Sequence, residues 1–316
     1  MIFELPDSST RDIAKTLVRI RDTGGQVTTS RVLSLIVIAR KEDDVEAVIR
    51  ATNEASREHP SRVIVLIQGD PTVPSSRLDA EVRIGGDAGA SELILINLDG
   101  EVANNLVHVV TPLLLPDTPI VTWWPYAAPV DPSSDPMGII AQRRITDSLF
   151  DPPQDALYNR RNHYVPGDSD VAWARLTPWR GVLASTLDQP PHEMVQEVRV
   201  VGPQDSPSVD LAAGWLIDRL GVPVSRLVDD HAQTCDADTI PVNRVELDRP
   251  SGTVVLEVLP DQDTLSVTFP GKEVALVAIS RRSTSDCLAE ELRHLDPDVA
   301  YQRALSGLAH VDYPQG

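Results

Sequence analysis

The chain has 316 residues, about two domains' worth if a typical domain runs to roughly 150. Its 28 Lys+Arg against 47 Asp+Glu leave a net charge of −19, which argues against a general nucleic-acid binder or a protein docked on anionic lipid. At 41% hydrophobic it has enough apolar material for real cores, which excludes wholesale disorder.

Met1 to Asp7 carry no basic stretch leading into a long apolar one, so no signal peptide is expected. The longest apolar runs, such as Leu35 to Ala39, are strand-sized and far below the roughly 20 residues that cross a bilayer. A cytoplasmic protein without membrane contact is the expectation. Pro6 to Ile20 places Ile13, Leu17 and Ile20 at helical spacing behind Ser8 to Thr10 as caps. Arg31 to Ala39 reads as a strand, Lys41 to Glu58 as a helix with acidic residues in its first turn, and Arg62 to Gln68 as a second strand. Continuous apolar strands mean burial on both faces, as in a parallel sheet covered by helices. Two more strands follow, Leu78–Ile84 with an alternating pattern and Glu92–Leu98. Then come a helix over Val102–Val110 and a short strand from Pro119 to Trp124.

The polar, proline-bearing stretch from Asp151 to Asp170 marks a boundary, giving an N-terminal domain over 1–165 and a C-terminal domain over 166–316. Asp170 to Leu187 is helical, with Pro178 predicting a kink or two short helices. Val195–Val201 is a strand and Val209–Leu220 a helix. Asn243–Leu247, Thr253–Leu259, Thr264–Phe269 and Val274–Ile279 read as an antiparallel meander. Ser283 to Asp286 resembles a capping box, and a last helix follows Asp296-Pro297 with Tyr301, Leu305 and Leu308 inward. The fold class is therefore α/β with two domains. The first is a three-layer α/β domain with a mostly parallel sheet, and the second a mixed α+β domain with antiparallel strands.

Nucleotide motifs are missing. Gly85-Gly86-Asp87-Ala88-Gly89 lacks the G-x-G-x-x-G spacing and leads into a strand, so it reads as a connection. Gly271-Lys272-Glu273 is a hairpin turn. No C-x-x-C, H-E-x-x-H or G-x-S-x-G occurs, and Asp230-His231 has no nucleophile motif beside it. No cofactor, metal site or catalytic residue is expected. Cys235 and Cys287 read either as unrelated thiols or as a reversible redox pair. Cys287 falls in a first helical turn, where the dipole lowers a thiol's pKa.

Trp123 and Trp124 sit at the carboxyl end of a buried strand, the edge where ligands and partners dock in open α/β sheets. An exposed tryptophan there would be an interaction anchor, whereas alternation would send at least one into the core. Arg143 and Arg144 form a cationic spot that either holds a phosphate or a partner carboxylate, or pairs internally with nearby Asp residues. Arg62, at the amino end of the second buried strand, is a further candidate for holding a partner or an anion, or else pairs across the structure.

The runs Ser56-Arg57-Glu58-His59-Pro60-Ser61-Arg62-Val63-Ile64, Asp87-Ala88-Gly89-Ala90, Leu115-Pro116-Asp117-Thr118-Pro119 with Trp123-Trp124-Pro125, and Arg143-Arg144-Ile145-Thr146-Asp147 resemble the OpcA family. So do the run from Asp170 to Arg180, Asp188-Gln189-Pro190-Pro191-His192-Glu193 and the run from Cys287 to Arg293. The resemblance implies a non-enzymatic protein that binds glucose-6-phosphate dehydrogenase, favours its active oligomer and raises flux into the oxidative pentose phosphate pathway. It supplies no catalytic residue. The second reading of the residues is a sensor of a sugar phosphate or nucleotide, bound near Arg143 and Arg144.

Overall fold

The computed structural model describes residues 1–23, 32–85, 92–151, 156–229, 237 and 239–314. These fall into two compact units. One comprises Met1–Asp147, Val165–Ser169 and Leu288–Asp296, the other Ser148–Tyr164, Asp170–Cys287 and Pro297–Gly316.

The first unit contains β1 (Ile2–Leu5), α1 (Thr10–Thr23), β2 (Leu33–Arg40), α2 (Val45–Glu58), β3 (Ser61–Gln68), β4 (Arg77–Ile84) and β5 (Glu92–Asp99). It continues through α3 (Leu106–Val110), β6 (Ile120–Trp124), α4 (Pro136–Ile139), β7 (Arg143–Thr146) and β8 (Asp168–Asp170), whose last residue counts with the second unit. The eight described strands run in the order β1-β4-β5-β3-β2-β6-β7-β8. β5, β3, β2, β6 and β7 are parallel neighbours, while β1 and β4 are antiparallel at one side. Every residue from Leu33 to Ala39 is buried, as two-face coverage requires. β4 alternates buried and part-exposed positions, as its sequence pattern predicts. The α1 stripe of Ile13, Leu17 and Ile20 is buried. The helix expected over Val102–Val110 is split. A 3-10 stretch covers Gly100–Asn104, α3 begins at Leu106, and the break falls at Asn105.

The connectivity opens the sheet at one place. From β2 the chain goes through α2 to β3 on one side, and from β6 it goes to β7 on the other. Neighbouring strands whose outgoing connections diverge leave a crevice outside their carboxyl ends.

The second unit contains α5 (Ala156–Asn162), α6 (Val171–Ala174), α7 (Thr177–Leu187), β9 (Glu197–Gly202), α8 (Pro207–Leu220) and β10 (Val224–Val228). Then follow β11 (Arg244–Arg249), β12 (Gly252–Val258), β13 (Thr264–Thr268), β14 (Ala275–Ala278), α9 (Thr284–Arg293), whose later residues count with the first unit, and α10 (Val299–Gly307). Its sheet order is β10-β9-β11-β12-β13-β14, with only the β10–β9 pair parallel among the described strands. The meander β11–β14 matches its sequence pattern. Pro178 does divide α6 from α7, taking one of the first positions of α7, where its missing N–H costs nothing. Ser283 and Asp286 form the expected reciprocal cap: Ser283 N–H and Oγ–H donate to Asp286 Oδ2 at 3.1 and 2.7 Å, and Asp286 N–H donates to Ser283 Oγ at 3.1 Å. Asp298 caps α10 by accepting from Ala300 and Tyr301 N–H, and its other oxygen accepts from Trp173 Nε1–H at 2.8 Å. Trp173, Trp179 and Tyr301 lie under the inner sheet face in one apolar core.

Candidate functional site

The crevice at the β2/β6 divergence holds about 720 Å³, within the roughly 300–1,000 Å³ typical of small-molecule sites. β2 brings Ile38, Ala39 and Arg40 to it. β6 brings Trp124 and then turns through Tyr126 to Val130. Gln68 at the end of β3, Asn104 to His108, and Asp135 to Met137 complete the lining.

Several polar groups there are already committed. Asp43 accepts from Arg40 N–H at 2.7 Å, and Asp44 caps α2 by accepting from Ala47 N–H at 2.9 Å. An anion would ordinarily settle at such a helix start. Here Asp44 claims an N–H of that helix start while Asp43 beside it takes the N–H of Arg40 at the end of β2, and the charge of the two carboxylates repels an anion. Asp135 caps α4 through Met137 N–H at 2.8 Å. Other groups remain open. Gln68 donates its amide to Ala103 O at 3.0 Å and Asn105 donates to Glu101 O at 3.1 Å. Their acceptor oxygens, the Asn104 amide and the His108 ring have no partner among the described residues. The local field is negative. Burial first, and then Asp44, Asp43 and Asp147, push the Tyr126 hydroxyl above its ordinary pKa. The next residue, Ala127, has φ of 41°, a left-handed conformation that costs an L-residue about 1–2 kcal/mol and recurs at functional sites.

The sequence-predicted residues lie elsewhere, except Trp124. Trp124 lines the crevice and is 3% exposed, and Trp123, on the opposite face of β6, is 1% exposed. An exposed aromatic anchor is therefore corrected. β6 lies between β2 and β7 and is covered on both faces, so alternation buries both indoles. The three arginines are buried too. Arg62 stands opposite Glu92 across the β3–β5 ladder and donates to its carboxylate at 2.6 Å, and to Leu113 O at 2.6 Å. Arg143 is paired with Glu291 and donates to Asp296 O at 3.0 Å. Arg144 is paired with Asp168 and donates to Ala141 O and Pro166 O. None of the three lines the crevice. An anion held by Arg143 and Arg144 is therefore corrected as well, because protein acceptors take up those guanidinium groups.

Cys287 lies in the first turn of α9, as its spacing predicts, and is fully buried. Cys235, Asp230-His231 and the glycine-rich connection from Gly86 to Gly89 lie outside the described residues. Gln68, Asn104, Asn105, His108, Tyr126 and Asp135 escaped the sequence reading. The available signal was positional: the strand-end rule applied to the loops after β2 and β3 as well as after β6.

Among the described residues no group of His, Cys, Asp and Glu is arranged to hold a metal, and no helix is long and apolar enough to cross a membrane. No curated protein matches the sequence. Solved structures similar to the chain include a 3-ketoreductase from Actinomadura kijaniata, with 9% identity, TM-score 0.48, and 90% of this chain and 99% of that one covered. An NAD-binding oxidoreductase from Klebsiella pneumoniae gives 10% identity, TM-score 0.45 and coverages of 89% and 96%. Neither likeness is close enough to bear on chemistry. Two family models match in chain order. Residues 52–162 match the N-terminal domain of the glucose-6-phosphate dehydrogenase subunit family, and residues 166–305 match the C-terminal domain of the same family. With both domain models present in order across most of its length, the chain belongs to the OpcA family of glucose-6-phosphate dehydrogenase assembly proteins.

Proposed function

We propose that this chain is a non-enzymatic cytoplasmic activator and assembly partner of glucose-6-phosphate dehydrogenase that favours the enzyme's active oligomer. The observation that carries the reading is the ordered match of both family domain models between residues 52 and 305. The chemistry of the residues supports it. The turn after the central strand reads Arg40-Lys41-Glu42-Asp43-Asp44, acidic and free of glycine, where a dinucleotide site needs close backbone approach and a helix start open to phosphate. No nucleophile, metal-ligand or Walker motif occurs in the sequence.

Activation requires that the chain bind the active state of the dehydrogenase more tightly than the inactive one. A coupling of about 1–3 kcal/mol changes apparent affinity roughly 5–150-fold. The test is the rate of the same organism's dehydrogenase over a range of glucose 6-phosphate, with and without this chain. A lower apparent KM or a higher maximal rate is expected, with no turnover by the chain alone. Unchanged kinetics under both reducing and oxidising conditions overturn the reading, and so does turnover without the dehydrogenase.

A further inference from the structure

We propose that the crevice between β2 and β6 is a binding site for a small uncharged or cationic organic molecule that presents N–H donors, such as an amide, amine or amidine. This goes beyond the partner role, and the isolated full-length chain is sufficient to test it.

Four observations support it. The first is place and size: about 720 Å³ at the divergence of the parallel sheet, the position where such sheets take ligands. The second is the surface, an apolar floor of Ile38, Leu106, Trp124 and Met137 beneath a polar rim. The third is the hydrogen-bond balance. The open acceptors include Gln68 Oε1 and Asn105 Oδ1; each of these amides spends one N–H, on Ala103 O or Glu101 O, and keeps a second, and the Asn104 amide and His108 ring offer both a donor and an acceptor. Asp43 and Asp135 add carboxylate oxygens to the lining. A ligand that supplies donors fits this set, and one that supplies only acceptors leaves these oxygens desolvated and unpaired. The fourth is the field. Asp43 and Asp135 line the site, Asp44 and Asp147 act on Tyr126 beside it, and Arg50 is the opposing charge on that ring. Arg40 also lines the crevice, but its side chain is 57% exposed and pairs with Glu42 at 4.0 Å, so solvent and that carboxylate offset its charge. Negative charge on the ligand is therefore penalised and positive charge tolerated. The left-handed Ala127 at the rim holds the β6 turn in a shape that a relaxed alanine would not choose.

Three isosteric probes separate the possibilities: benzamidine, benzamide and benzoate, titrated against the full chain by saturation-transfer NMR with calorimetry. Benzamidine and benzamide are expected to bind, with benzoate at least about tenfold weaker. Asp43→Asn, which keeps an acceptor for Arg40 N–H, is expected to narrow the gap between benzamidine and benzoate several-fold. Val130→Trp changes an exposed residue of the lining and is expected to block all three probes while the unfolding transition stays in place. Benzoate binding as tightly as benzamidine overturns the proposal, as does binding that survives Val130→Trp. Failure of all three to bind at about 10 mM overturns it too.

Discussion

α8 and α10 cross so closely that each offers a glycine to the other. A β-carbon on Gly214 would lie 2.3 Å from Ala304 O and 3.2 Å from Leu308 N. One on Gly307 would lie 2.1 Å from Gly214 O and 2.9 Å from Ile217 Cγ2. The blocking atoms are mostly backbone, so no side-chain rotation relieves the clash and the helices must part by about 1 Å. Losing that distance forfeits a quarter to a half of the dispersion energy of each contact at the crossing. Overpacking of this kind costs about 1–3 kcal/mol, and more where backbones collide. Alanine returns about 1 kcal/mol as the better helix former. The net expectation for Gly214→Ala is a loss of about 2 kcal/mol, or about 4–8 °C in Tm. Gly181 in α7 is the control, because nothing lies within 4 Å of its β-carbon position. There Gly181→Ala keeps only the propensity gain and is expected to stabilise by about 0.5–1 kcal/mol. Urea unfolding followed by circular dichroism, alongside thermal melts, reads both signs. A Gly214→Ala protein as stable as the parent would refute the reasoning, since it would mean that the crossing yields freely. In the double variant Gly214→Ala/Gly307→Ala one separation serves both clashes, so the loss is expected to fall short of the sum of the singles.

Two further perturbations follow from buried charge. Removing Glu291 leaves the Arg143 guanidinium, 4% exposed, with only the Asp296 carbonyl, so Glu291→Ala is expected to cost about 3–5 kcal/mol, whereas Arg143→Met/Glu291→Leu is expected to be close to neutral; a mild single variant in urea unfolding would contradict this. Asp210, in the first turn of α8, has its carboxyl pushed up to about 6 by burial, against the opposing pull of Arg226. Its folded pKa is raised, so the unfolded chain loses this proton first as pH rises. Its contribution is therefore most favourable below about pH 4 and falls by about 2–3 kcal/mol by pH 6. The stability difference between the parent and Asp210→Asn, measured from pH 4 to 7, is expected to show that fall, and a difference flat in pH would contradict it.

The parts of the fold legible in the sequence are those with a strong period or a run of one character. β2 and β3 showed as unbroken apolar stretches because both sheet faces are covered, β4 showed by alternation, and α6 and α7 showed through Pro178. β7 was hidden. Its sequence Arg-Arg-Ile-Thr has no strand pattern, and its arginines are buried by carboxylates on Asp168 and Glu291, one of them far along the chain. β10 was missed because Val224 to Val228 is short and pairs in parallel through α8, while the neighbouring strands form a local meander. Residues 288–296 group with the first unit through non-local contacts that no local pattern records. The crevice was legible only as a place. Its residues come from several separate segments, and only the strand order brings them together.

The most direct test of partnership with the dehydrogenase is sedimentation velocity of this chain mixed with glucose-6-phosphate dehydrogenase from the same organism, over a range of ratios. A faster boundary containing both proteins is expected, growing until one component is exhausted. Two boundaries that sediment independently at every ratio, in reducing and in oxidising buffer, would contradict the proposed role.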